Sequence, residues 1–457
     1  MEEPQNLEVK LISTQIVKPS SPTLRNKNSL TLSFLDQSFP AVTLPALIVY
    51  TNSAPVDTVT NLKTSLSETL TTFYPLAGRC ENLDTVSCND EGVPYRETRV
   101  NCRVTDLLNS PKKLDLFVKF LPPIDLFSFG NCPVSDFPPL SFQVNLFECG
   151  GIVIGCYFFH KLLDASSLAC FFNNWAAVAS KRYSDLVHPD FSATVTTFPP
   201  PLKVMEVELA PPPAEGGGDK GGSTNLSALW HSLKSIKVVG KNFIFTRPRI
   251  NKLKSMAATD TLPNPTGFEA VAGFLWHHIA TSANPKTEDS VPTVLSFSAN
   301  IRSRTNPKLP KSSMGNLIVD IHACSKNCID FPDNVREIHS AIQTVQKKVE
   351  EMQGENGVKA FLAEREAGFR GYVDDINVAN YTLSSWCKLG FDGVDFGFGK
   401  PSKVIPVGMM HPFLKNSMGF VDYSDVDGDG IEVWLFLEEN EMNVLVSNDG
   451  FSAFVVA

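Results

Sequence analysis

The chain has no apolar run of about 18 residues, the length a helix needs to cross a bilayer, so no membrane span is expected. Its opening residues, MEEPQNLEVK, are acidic and have no apolar core, which argues against a secretory signal. Positive charge is in short supply: 40 Lys and Arg stand against 49 Asp and Glu, a net charge of −9. That balance argues against nucleic acid or an anionic membrane as the main partner. Zinc-ligand spacing is missing too. The 10 cysteines are scattered in mostly apolar contexts. Only Cys324 and Cys328 lie close, in CSKNC, and no second pair completes a metal site. Free thiols in a reducing cytoplasm are the expectation. A calcium loop begins at Asp425, Asp427, Asp429 and Gly430 but lacks its end, because Val433 and Phe436 stand where ligands are needed. The Asp-Gly steps there predict a hairpin turn instead. His277 and His278 are adjacent, so a helix should point their rings apart, and no metal is expected there. No short tandem repeat is visible.

What remains is globular. The chain is 43% hydrophobic and 19% charged, and its 457 residues exceed one typical core, so two domains are expected. The first half ends near residue 198. Pro199 to Pro201 and then PPPAEGGGDKGGS at 211–223 are breakers that build no core. They predict a crossover linker over 199–238 between an N-terminal domain, 1–198, and a C-terminal domain, 239–457.

Hydrophobic periodicity places the elements. Residues 7–17 and Ala46 to Tyr50 read as strands. Val59, Leu62, Leu66, Leu70 and Phe73 step by 3 and 4, a helix that Pro75 stops. Cys88 to Gly92 reads as a turn. Leu140, Phe142, Val144 and Leu146 alternate with polar residues, which predicts a half-buried strand that turns at Gly150-Gly151. FIFTRPRINKLK predicts a strand and a helix start, 268–280 a helix and 294–301 a strand. Val335 to Met352 predicts a helix capped by Asp333 or Asn334, and 417–424 and 431–437 predict late strands.

The centre of the chain is GGIVIGCYFFHKLLDASSLACFFNNW, residues 150–175. Ile152 to Phe159 is an apolar run of strand length, and Leu168, Phe171, Phe172 and Trp175 repeat at helical spacing. His160 stands where the buried strand gives way to a loop. A rigid strand end fixes a side chain while the loop leaves it reachable. Asp164 follows four residues later. A histidine there is either a catalytic base or a satisfied core residue, and spacing alone does not choose.

Several blocks choose together. HKLLD at 160–164 resembles the HxxxD motif of the BAHD acyl-CoA-dependent acyltransferases, and DFGFGKP at 395–401 resembles that family's DFGWG block. FYPLAGR at 73–79, NIRSRTNPKLPKSSMGN at 300–316 and SSWCKLG at 384–390 resemble further family blocks, in the family order. KPSSPT, CNDEGVP, FECGG and SWCKLGF are similar to the branch that acylates alkaloids and terpenoids. The resemblance implies an α/β (α+β) fold of two chloramphenicol-acetyltransferase-like domains. Each would be a mixed sheet flanked by helices, with a solvent channel between them and His160 at its middle. Departures are visible. Phe159 replaces the first His of the longer HHxxxDG form, Ala165 its Gly, Phe398 the Trp of DFGWG, and Lys308 a usual Pro. An aromatic plate is kept at 398, but the indole N–H is lost.

The chemistry assigns roles. A hydroxyl attacking a thioester must lose its proton during attack, and neutral imidazole suits that task. His160 is the expected general base, acting directly on the acceptor without an acyl-enzyme. The tetrahedral oxyanion needs a donor. By resemblance it is the indole N–H of Trp386, helped by the Ser384 hydroxyl; core packing and a strand-edge hydroxyl are the plain alternatives. Asp164 could orient His160 as in a triad, but the resemblance implies that it points away and pairs with Arg302. Asp395, with Phe396, Gly397, Phe398 and Gly399, is expected to hold the shape of the channel. Lys254, Lys311 and Lys400 are candidates for the CoA phosphates, with solvated surface lysines as the alternative reading. The resemblance thus implies a cytoplasmic, monomeric O-acyltransferase with acyl-CoA as co-substrate and a small-molecule alcohol as acceptor. It implies no metal and no permanently bound cofactor. An N-acyltransferase and a catalytically silent interaction protein are the other readings.

Overall fold

The structure is a computed structural model, which describes residues 7–110, 116–123, 134–200, 237–283, 292–325, 330–354, 356–359, 361–362, 378–406 and 415–456. The central part of the expected linker, 201–236, and Cys328 lie outside the described residues. The chain forms two compact units. Unit one comprises Met1–Pro212, Pro307–Leu317 and Lys388–Gly408; unit two comprises Pro213–Asn306, Ile318–Cys387 and Met409–Ala457.

In chain order, the first half contributes β1 (Val9–Val17), β2 (Ser29–Thr31), β3 (Thr43–Tyr50), β4 (Arg79–Cys80), β5 (Thr85–Ser87), β6 (Val93–Val100), β7 (Leu140–Phe147) and β8 (Ile152–Phe159). In the second half follow β9 (Val238–Phe245), β10 (Thr293–Asn300), β11 (Ile318–Ser325), β12 (Ala379–Ser385), β13 (Lys403–Ile405), β14 (Ser417–Asp425) and β15 (Gly428–Glu438). Unit one holds a six-stranded sheet, β1-β6-β7-β8-β3-β13, and a small β2-β5-β4 sheet; unit two holds a six-stranded sheet, β11-β10-β12-β14-β15-β9. Both large sheets are mixed, with β6–β7 parallel in the first and β10–β12 and β12–β14 parallel in the second. The fold is therefore α/β with two sheet-bearing units.

Most elements arise where periodicity puts them. The helix Thr58–Thr72 buries Leu62, Leu66 and Leu70 and ends before Pro75, which sits in a single 3-10 turn. Residues 425–428 form the expected hairpin, with Asp425 opposite Gly428 in the β14–β15 ladder.

Four expectations need correction. β7 is not half-buried: Ser141, Gln143 and Asn145 are buried along with its apolar residues. Their face is covered by the 118–121 segment. Gln143 donates to the Lys119 carbonyl at 3.0 Å, and Asn145 to the Phe120 carbonyl at 2.9 Å, so buried amides pair with loop backbone. Gly155 is required for that cover, since a Cβ there would clash with the Phe120 carbonyl oxygen. The helix over 335–352 is really two, Phe331–Gln343 and Val345–Met352, and its N-cap is Asp330, not Asp333 or Asn334. Finally, the His277 and His278 rings do not point apart. They meet edge to face at 5.1 Å, because His278 packs against Phe274 and Phe451. Burial, then the neighbouring His277, pushes His278 down to about 4.

Candidate active site

His160 is placed by burial. All eight residues of β8 are buried, and the strand is hydrogen-bonded on both sides, by β7 and β3. Such a strand is a stiff support. His160 follows it directly, and its backbone N–H donates to the Val42 carbonyl at 2.8 Å. The helix Ala165–Ala179 begins five residues later. The ring of Phe39 stacks on the imidazole, with centroids 4.8 Å apart and planes 16° from parallel.

The imidazole Nδ1 lies 3.1 Å from the Asn316 Oδ1. The Asn316 amide has only one consistent orientation, because its Nδ2 donates to the His160 carbonyl at 2.8 Å and to the Asp36 carboxylate at 3.2 Å. Its oxygen therefore accepts, and the proton of a neutral His160 sits on Nδ1. The basic lone pair is then on Nε2.

Asp164 is buried and caps the helix that follows His160. Its Oδ1 accepts the Ser167 N–H at 2.7 Å and its Oδ2 the Leu317 N–H at 3.1 Å. The tripeptide Gly315–Leu317 is held at every residue. Gly315 exchanges hydrogen bonds with Ser167, Asn316 donates its N–H to the Asp36 Oδ1 at 2.7 Å, and Leu317 meets Asp164. Gly315 has φ +119°, and a Cβ there would crowd Thr194 and Asp36, so the close approach needs glycine. Asn316 closes the NIRSRTNPKLPKSSMGN block, but nothing in the sequence ties it to His160, and Asp36 lies outside every block. The one local signal is the S-x-x-D spacing of Ser33 and Asp36, a capping box on the short helix Phe34–Ser38.

The DFGFGKP block also packs within unit one. Asp395 turns its own loop: Oδ1 accepts the Gly397 and Gly399 N–H groups at 2.8 and 2.9 Å. Arg182 donates to the Asp395 carbonyl at 2.9 Å. Phe396 meets Trp175 and Phe398 meets Tyr50, with centroids 5.0 and 4.9 Å apart. The Tyr50 hydroxyl donates to the Val394 carbonyl at 2.7 Å, and its proton is held more tightly by burial and by the Asp395 charge. Tyr50 pairs with Ile152, whereas His160 follows Phe159 at the other end of the same strand. Seven steps along β8 is roughly 23 Å. Asp395 is thus a loop-forming carboxylate, remote from the imidazole.

In unit two, Ser384 lies in β12 and Trp386 one residue beyond its end, so the two share a face two residues apart. Trp386 is buried, and its backbone N–H donates to the Phe420 carbonyl at 2.8 Å. Arg302, also buried, opens a 3-10 turn just past β10, and its backbone and guanidinium both donate to Asn300. β10 and β12 are parallel neighbours, so Arg302, Ser384 and Trp386 gather at one end of the sheet. Lys254 is half-buried on the helix Arg247–Ala257; Lys311 and Lys400 are exposed.

A competing nucleophile would be a thiolate. Cys156 lies on β8 four residues before His160 and is fully buried, which pushes its thiol well above the ordinary range. Burial likewise lifts Cys80 and Cys88 to about 12. Such thiols stay protonated and unreactive.

His160 thus stands at the end of a buried strand with its Nδ1 toward the Asn316 oxygen, in a chain with two mixed six-stranded sheets. A family model, that of the Transferase family, matches residues 7–451. Stemmadenine O-acetyltransferase of Catharanthus roseus is 30% identical over 449 residues, 96% of this chain and 97% of the relative. Vinorine synthase of Rauvolfia serpentina is 30% identical over 442 residues, 95% of each chain. The crystal structure of vinorine synthase matches with a TM-score of 0.77 at 28% identity, covering 98% of both chains. TRI101 of F. sporotrichioides, solved with coenzyme A and T-2, shares the fold, with a TM-score of 0.67 at 16% identity over 93% of this chain and 99% of that one. The chain belongs to the Transferase family, the BAHD acyltransferases, and is an enzyme that transfers acyl groups.

Proposed function

We propose that this enzyme transfers an acyl group, acetyl or another, from an acyl-CoA thioester to a hydroxyl of a specialised metabolite such as an alkaloid or terpenoid. His160 is the general base. The hydrogen bond from its Nδ1 to Asn316 carries the reading, because it leaves Nε2 to take a proton. Both substrates bind before anything leaves. Nε2 takes the acceptor proton as the oxygen attacks the thioester carbon, and the C–O bond forms. The resulting oxyanion is met by the indole N–H of Trp386 and the hydroxyl of Ser384. When the tetrahedral intermediate collapses, the C–S bond breaks, and the imidazolium returns its proton to the CoA thiolate. Lys254, Lys311 and Lys400 supply charge for the CoA phosphates. Asp164 pairs with Arg302 in addition to capping its helix. Asp395 supports the Phe396–Gly399 loop and takes no part in proton transfer.

The inertness of Cys156 supports direct transfer over an acyl-cysteine route. The O-acetyltransferase relative supports a hydroxyl acceptor. The test is thioester-dependent CoA release with a panel of alkaloid and terpenoid alcohols and the matching amines, with products identified by mass. Ester products support the proposal. Amide products alone would move the enzyme to N-acylation, and no turnover with any acceptor would leave a silent member of the family.

A further inference from the structure

The mechanism leaves one buried carboxylate of unit one without a task. Asp36 is buried, and each of its oxygens takes two donors. Oδ1 accepts the Asn316 N–H at 2.7 Å and Nδ2–H at 3.2 Å. Oδ2 accepts the Ser33 hydroxyl at 2.6 Å and N–H at 3.2 Å. Three of the four partners are N–H groups, which can only donate, and the Ser33 hydroxyl donates the fourth bond, so the set is arranged for the anion. Burial holds the carboxyl above the ordinary carboxylate value, and the four hydrogen bonds reduce that rise without cancelling it. A cation lies close by. Lys161, itself buried, donates to the Gln37 and Phe39 carbonyls at 2.9 and 3.1 Å, and Phe39 is the residue whose ring stacks on His160.

We propose that Asp36 is a positioning residue for His160, acting through Asn316. Its Oδ1 grips both the backbone and the side chain of Asn316, which fixes the amide with its oxygen toward His160 Nδ1. Oriented in this way, the amide dipole and the carboxylate behind it favour the imidazolium formed when Nε2 takes the acceptor proton. This is the part a triad carboxylate plays, with an amide interposed. Asp164, whose two oxygens serve Ser167 and Leu317, is built for holding the loop. Among the described residues of the unit, the other titratable groups tied to this cluster are Lys161, Cys80 and Asp164. Burial keeps the Cys80 thiol protonated, at about 12, with Lys161 opposing the rise and Asp36 adding to it.

The proposal rests on His160 being the base, and the test separates the two. Asp36→Asn keeps an oxygen for Asn316 and removes the charge. It should lower kcat by about 10- to 100-fold, with KM for acyl-CoA changed less than about twofold. The acid limb of the kcat/KM profile should move to lower pH by about half a unit or more, since the imidazolium loses a neighbouring anion while Lys161 remains. The double variant with Asn316→Ala should be no slower than Asn316→Ala alone, because both changes cut one path. A purely structural Asp36 would lower Tm while the acid limb stayed in place, and that result overturns the proposal. So do losses that multiply in the double variant. If Asp36→Asn does not fold, Asn316→Ala carries the same test: an unmoved acid limb and retained kcat refute the path. A parent enzyme with no acid limb at all would overturn the His160 reading itself, and the Asp36 path with it.

Discussion

Asp164→Asn separates a carboxylate that builds the loop from one that works on the imidazole. In the wild-type chain Oδ1 caps the helix through Ser167 and Oδ2 takes the Leu317 N–H. Asparagine can keep one of these acceptors. Its amide nitrogen then faces the other donor, and with the cap retained the Leu317 N–H is left unmatched in a buried place. An unsatisfied buried N–H costs about 1–3 kcal/mol. At about 2–4 °C per kcal/mol for a unit of this size, Tm should fall by about 2–12 °C. Asp164→Ala loses the cap as well and should fall by about 0.5–2 kcal/mol more. Differential scanning fluorimetry beside CoA-release kinetics reads both sides. The structural role requires turnover to fall together with stability. A variant with the parental Tm and abolished turnover would refute it and return Asp164 to a triad.

Two further outcomes follow from the buried groups. His278 is held near 4, below its unfolded value, so the folded state disfavours its proton; stability is full above the unfolded value and is lost as pH falls toward about 4. His278→Phe should flatten the stability-pH curve between about 6.5 and 4 in urea melts, and an unchanged slope would count against it. Incubation with acyl-CoA alone should leave the protein mass unchanged, and initial-rate lines should intersect. Parallel lines, or an acyl adduct removed by Cys156→Ser, would show a covalent route.

The sequence carried the local half of the site and missed the tertiary half. His160 was legible because an apolar strand ends on it and a helix follows. Its partner Asn316 lies 156 residues away, and Asp36 is 280 residues from Asn316, so no local pattern joins them. They meet because Pro307–Leu317 packs into unit one, a long-range event that periodicity does not encode. β7 was misread for a related reason. Alternating polar residues look the same whether water or a loop satisfies them, and here the Lys119 and Phe120 carbonyls do. The two histidines of the Gly267–Ala283 helix were misjudged because backbone spacing sets Cβ directions, while Phe274 and Phe451 set where the rings settle.

The role of His160 is tested most directly by His160→Ala under saturating acyl-CoA and acceptor, with product quantified by mass and CoA affinity measured separately. Loss of the base should slow turnover by about 100- to 10,000-fold while CoA still binds with similar affinity. Turnover near the parental rate in a folded His160→Ala enzyme would contradict the mechanism.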